Sequence, residues 1–253
     1  MDYEKLASAL VKKVWGALRI CSGVIVVVLV FSFVVAIVTS RSWEAVTRAE
    51  VDPLVCGAMS GIVYEFPRNY VIYWPEYEGK SSWEVGFTEN KKGCGANLVS
   101  LYMAMSWPEL KPVSFGAATA FHFSGVTVAI EPWVQGEAGL KRILEVYLRG
   151  TPLDVREKAV YEKNLRMNFV EGINIAQPDR KEDFFWGEEG GRLKYVVYCV
   201  RGYVESHSFC NLKFELPGKE ILVSVRLLRA NFSEWRRVVS SVEGFLLRGV
   251  KHG

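Results

Sequence analysis

The residues of this 253-residue chain able to carry chemistry are few: three histidines, five cysteines and two pairs of adjacent carboxylates. His122 lies in a strand-like run, His207 in a presumed hairpin turn and His252 at the C-terminus. Ser206-His207-Ser208 precedes Cys210 closely enough to suggest a base beside a nucleophile. Catalytic pairs are ordinarily assembled from positions distant in sequence, so the turn is the better reading. Glu182-Asp183 and Glu188-Glu189 offer paired carboxylates or a cation site, but they stand in an acidic, aromatic, Gly-rich stretch, residues 177–191, that reads as a solvated loop. There is no G-x-S-x-G, H-E-x-x-H, phosphate-binding loop, G-x-G-x-x-G or C-x-x-C, and three scattered histidines lack zinc-ligand spacing. The sequence therefore predicts no enzyme, no metal and no cofactor. Asn231-Phe232-Ser233 is a glycosylation sequon, although Ser233 has a better use as a helix cap.

The cysteines are informative through their compartment. Residues 20–40 hold no charge and would span about 30 Å as a helix. Four bases (Lys5, Lys12, Lys13, Arg19) precede the run and only Arg41 and Arg48 follow closely, which predicts an uncleaved, single-pass helix in the bacterial inner membrane with a cytoplasmic N-terminus. On that reading residues 1–19 are cytoplasmic, 20–40 cross the membrane, 41–53 form a stalk and 54–253 a periplasmic domain. Cys21 lies in the apolar run, and the other four cysteines read as two disulfides in an oxidising compartment. Three pairings are possible. The favoured one joins Cys199 to Cys210 across a hairpin and Cys56 to Cys94 across an aromatic loop region.

Half the residues are hydrophobic, and 14 Phe, 11 Tyr and 8 Trp are enough to fill a core. Beyond residue 40 the charges balance at 27 basic to 26 acidic, without a clustered basic surface, which excludes nucleic acid as a partner. Short strands are predicted at residues 98–107, 119–123, 126–130, 193–200, 212–216 and Ile221–Leu228. Leu140, Ile143, Leu144, Tyr147 and Leu148 share one helix face over residues 136–149, and Thr151-Pro152-Leu153-Asp154 opens a second helix towards Asn164. A last helix begins at Ser233 and carries Trp235, Val238, Val239, Val242, Phe245 and Leu246 on one side. The fold class predicted is α+β: a single transmembrane helix, then one antiparallel-sheet domain with a few packed helices.

With no catalytic constellation, the surface suits a protein partner. Residues 64–87 hold eight aromatics broken by Pro67, Pro75 and Gly79, and such rings on loops give large contact area at low entropic cost. Tyr73, Trp74 and Tyr77 are one candidate contact. Phe184, Phe185, Trp186, Glu188 and Glu189 are the second, offering rings and negative charge together.

The last third carries a resemblance. Cys199 and Cys210, the strand Ile221-Leu-Val-Ser-Val-Arg, Leu228 and the helix Ser233-Glu-Trp-Arg-Arg-Val-Val-Ser-Ser-Val-Glu-Gly-Phe-Leu-Leu resemble the ending of periplasmic immunity proteins found with type VI secretion lipase effectors. The resemblance covers residues 193–248 and rests on structural motifs. It implies a stoichiometric inhibitor of a secreted, lipase-like toxin. Many such proteins are lipid-anchored or freely periplasmic, and the helix read at residues 20–40 departs from that pattern. The alternative is a single-pass assembly subunit of a secretion or conjugation machine.

Overall fold

The computed structural model describes residues 53–120, 122–174, 177–202 and 207–251, all within one compact unit that begins at Asp52. Among the described residues, eleven strands form a hairpin and a large antiparallel sheet. The hairpin pairs β1 (Leu54–Met59) with β2 (Ile62–Pro67). Its two-residue turn places Ser60 at φ 49° and Gly61 at φ 76°, the left-handed pair that matches strand twist.

The sheet has nine strands in the order β3-β4-β5-β11-β10-β9-β8-β7-β6. They are β3 (Glu76–Tyr77), β4 (Leu98–Met105), β5 (Val126–Pro132), β6 (Val160–Glu162), β7 (Met167–Asn174), β8 (Gln177–Glu189), β9 (Arg192–Val200), β10 (Phe209–Glu215) and β11 (Ile221–Leu228). After β5 the chain crosses to the far edge, then returns strand by strand until β11 closes beside β5. A one-turn helix, α1 (Phe115–Ala118), precedes β5, while α2 (Gly136–Leu148) and the one-turn α3 (Leu153–Arg156) make the crossover. A 3-10 segment, Arg229–Glu234, leads from β11 into α4 (Trp235–Arg248).

Period-two alternation assigns the faces. Cys210, Leu212 and Phe214 of β10 and Ile221, Val223, Val225 and Leu227 of β11 are buried in one core with Trp235, Val238, Val239, Val242, Phe245 and Leu246 of α4. The hairpin closes this layer: Phe66 stacks on Phe245 at 5.5 Å, and after α4 the Lys251 amide donates to Val63 O at 2.8 Å. Tyr64 is fully buried here and, among the described residues, its hydroxyl has no hydrogen-bond partner. An unsatisfied buried hydroxyl costs stability. Tyr64→Phe should therefore leave the unfolding free energy unchanged or raise it by up to about 1 kcal/mol in urea titration, and a loss of more than that would mean the hydroxyl is bonded.

Several expectations are corrected. The fold is mostly β rather than α+β, because residues 160–189 add three strands that the sequence conceals. Most of the run 177–191 is no loop: residues 177–189 are β8, which pairs with β7 and, from Glu182 on, with β9 as well. The described residues of 119–123 are in no strand, and the helix expected from Thr151 to Asn164 stops after one turn. Thr151 is buried instead and accepts from the Ile173 amide at 3.2 Å, and the Ser233 cap is replaced by the 3-10 entry. The expected membrane segment, residues 20–40, lies outside the described residues. The expected inner-membrane, single-pass location is corrected to this: among the described residues, no helix is long and apolar enough to cross a membrane. What remains is that two disulfides fit an exported or periplasmic protein.

Candidate functional site: the open half of the sheet

Against the sheet face opposite α4, helix α2 covers only one half. Leu140 is buried with Leu193, Val196 and Leu222, while Ile143, Leu144, Tyr147, Trp133 and Trp186 pack around them. The other half, from β4 to β10, is left open as a cleft of about 660 Å³ walled on one side by α1 and the turn after it.

Strand register writes the floor of this cleft. Tyr102, Ala129, Ser224 and Lys213 stand opposite one another in one row across β4, β5, β11 and β10, and Thr127, Arg226 and Asn211 in the next. Lys213 Nζ donates to Ser224 Oγ at 2.7 Å. Burial pulls its amine below the usual lysine range, opposed by the negative charge of Glu131 on β5. The Arg226 guanidinium lies over the Phe209 ring, 3.8 Å from its centroid. At the rim, the Tyr73 ring meets Tyr102 and Phe115 edge-on at 5.7 and 5.8 Å, and all three rings are about half exposed.

Of the residues singled out from the sequence, Tyr73 lines this cleft and Trp74 beside it is half exposed, with the Arg68 guanidinium 5.3 Å from its ring centroid. Tyr77 is buried and its hydroxyl donates to Cys56 O at 2.8 Å. Phe184 and Phe185 are buried on opposite sides of β8, against Tyr147 and Phe169 respectively, and Trp186 is half-buried under α2. Glu188 and Glu189 are exposed at the end of β8, where Tyr195 donates to Glu189. Disulfides join Cys56 to Cys94 and Cys199 to Cys210, the latter directly opposite each other on β9 and β10. The grouping of Cys56 and Cys94 with Glu65 offers a metal no thiolate, since both sulfurs are in the disulfide. His207 lines the cleft, His122 is exposed, and the Ser208 hydroxyl accepts from the Gly202 amide at 3.0 Å.

Glu182 and Asp183, expected in solvent, are both buried. Asp183 binds Arg201, which also reaches Glu171 at 2.8 Å, and it pairs with Arg229 at the start of the 3-10 segment. Lys213, Arg226, Asn211 and Tyr102 were missed as site residues. Their signal was present: in Phe-Cys-Asn-Leu-Lys-Phe-Glu and Leu-Val-Ser-Val-Arg-Leu, polar residues alternate with apolar ones, which gives two neighbouring strands one polar face.

No family model and no curated protein matches the sequence. Among solved structures the chain is similar to Smlt3025, an immunity protein of the Stenotrophomonas maltophilia type IV secretion system. The TM-score is 0.55 at 17% identity, over 79% of this chain and 94% of that one. The chain has the fold of that immunity protein. FrpD, an iron-regulated outer membrane lipoprotein of Neisseria meningitidis, matches over the same shares at a TM-score of 0.44 and 10% identity.

Proposed function

We propose that this chain is an immunity protein, which neutralises a secreted effector toxin by binding it and performs no turnover. The observation that carries this is the shared fold with a secretion-system immunity protein across nearly all of that protein's length. The open half of the sheet supports it, since rings and cations around a concave floor are the composition of binding hot spots. The C-terminal resemblance narrows the toxin to a lipase-like effector of type VI secretion, whereas the fold neighbour belongs to a type IV system. An effector toxin is common to both.

The product of the adjacent reading frame is the defined probe. Cells lacking this gene should be killed when that product is expressed in the periplasm, and cells carrying the full chain should survive. Equal survival would sink the reading, and loss of a secretion or conjugation channel on deletion would put an assembly subunit in its place.

Two of the three aromatic candidates of residues 73–77 should now behave differently. Tyr73→Ala should weaken binding of that product by about 2 kcal/mol with little change in melting temperature, as truncation of an exposed hot-spot ring does. Tyr77→Ala should lower the melting temperature by several degrees, because a buried ring and its bond to Cys56 O are lost. Thermal melts beside titration calorimetry check both, and a stable Tyr77→Ala protein or an unaffected Tyr73→Ala affinity would refute the assignment.

A further inference from the structure

We propose that the open half of the sheet receives an acidic segment of a protein partner, seating a carboxylate between Lys213 and Arg226. This rests on the binding reading above, and it names the chemistry of the partner.

Lys213 lies opposite Ser224 and Arg226 opposite Asn211, so the two cations are diagonal neighbours on the same face of β10 and β11. Diagonal neighbours on a sheet face stand about 7–8 Å apart, within reach of long side chains. Neither cation makes a salt bridge among the described residues. The carboxylate that shares the cleft, Glu131, sits opposite Leu222 in the row beyond Ser224. Two cations on one face of neighbouring strands both gain from an incoming anion.

Both side chains are already placed for it. Ser224 holds the Lys213 amine and the Phe209 ring carries the Arg226 guanidinium, so little rotamer entropy remains to be lost when a partner arrives. The amine has also surrendered part of its hydration, since burial lowers its proton affinity. A carboxylate accepts from an ammonium and a guanidinium together through charge-assisted bonds. The half-exposed rings of Tyr73, Tyr102 and Phe115 at the rim suit the apolar residues flanking such an acid, which favours a polypeptide over a bare anion.

The test uses the full chain and a fluorescein-labelled pentaglutamate peptide at low salt. Anisotropy should saturate, the double variant Lys213→Met with Arg226→Ala should bind at least tenfold more weakly at an unchanged melting temperature, and Arg236→Ala should match the unaltered protein. Arg236 is an exposed cation on α4, across the sheet from the cleft. Unsaturable binding, equal binding by the double variant, or displacement of the peptide by inorganic phosphate at equal charge concentration would overturn the proposal. Should the double variant lose its fold, the single variants Lys213→Arg and Lys213→Met replace it in the same titration: affinity retained in Lys213→Arg and lost in Lys213→Met supports the proposal, and equal affinity in the two overturns it. The toxin of the adjacent reading frame separates the two readings. Tight binding that ignores the double variant removes this docking site and leaves the immunity function, whereas peptide binding that depends on both cations in a chain indifferent to the toxin does the reverse.

Discussion

Replacing Asp183 with alanine should lower the unfolding free energy by about 3–5 kcal/mol, the range expected when a buried ion pair loses one partner. The carboxylate is fully buried in β8 between Glu171 and Cys199 on the neighbouring strands, and Arg201 and Arg229 both converge on it. Arg201 keeps Glu171, but Arg229 would be left facing a desolvated site. Because Arg229 opens the 3-10 segment that feeds α4, the loss should propagate to the packing of that helix on the sheet. Asp183→Asn retains an acceptor for one guanidinium, so it should cost less than alanine. Urea titration of the three proteins decides this. A change below about 1 kcal/mol for alanine would mean that the cluster is hydrated and contributes as little as an ordinary surface pair.

Removal of the Cys56–Cys94 bridge should cost about 3–4 kcal/mol, more than removal of Cys199–Cys210. The first closes 38 residues and the second 11, and stabilisation through the unfolded chain grows with the loop closed. The folded state points the same way. Cys199 and Cys210 lie opposite each other in a ladder that pairs residues 195–200 of β9 with residues 209–214 of β10, so their strands stay paired without the bond. Residues 78–95 run through turns and a single 3-10 turn with largely exposed side chains, and Cys94 ties them to β1. Paired Cys→Ala variants in non-reducing urea titrations should reproduce this order. The reverse order would mean that the unfolded chain already holds residues 56 and 94 together.

Legibility of the sequence followed from how strongly each segment alternates. β4, β5, β9, β10, β11, α2 and α4 were all readable, since each repeats apolar residues at two or at three and four. β8 was not, because Gln-Pro-Asp-Arg-Lys-Glu-Asp opens it with seven polar or turn-forming residues, and it is pairing to β7, joined by β9 only from Glu182, that makes them a strand. The missing strand took the burial of Asp183 with it, as its arginine partners lie 18 and 46 positions away and nothing local announces them. Thr151 failed for a related reason. Its cap chemistry is sound, but the Ile173 amide across the crossover competes for the same hydroxyl. The cleft stayed hidden because its floor is made of unremarkable polar residues. Their meaning comes from the registers of four strands together.

The placement of β11 between β5 and β10 sets a timetable for the molecule. Val128 pairs with Val225, 97 positions later, so the centre of the sheet is the last part that a chain made from its N-terminus can complete. Until residue 228 has emerged, β5 and β10 each present a bare strand edge of apolar and polar alternation, the template on which strands of other chains add. Contacts this remote also slow the search for the native arrangement. A chain ended by a stop codon ahead of Ile221 would therefore hold most of the residues of the domain and still leave two sticky edges where the finished protein has a continuous sheet.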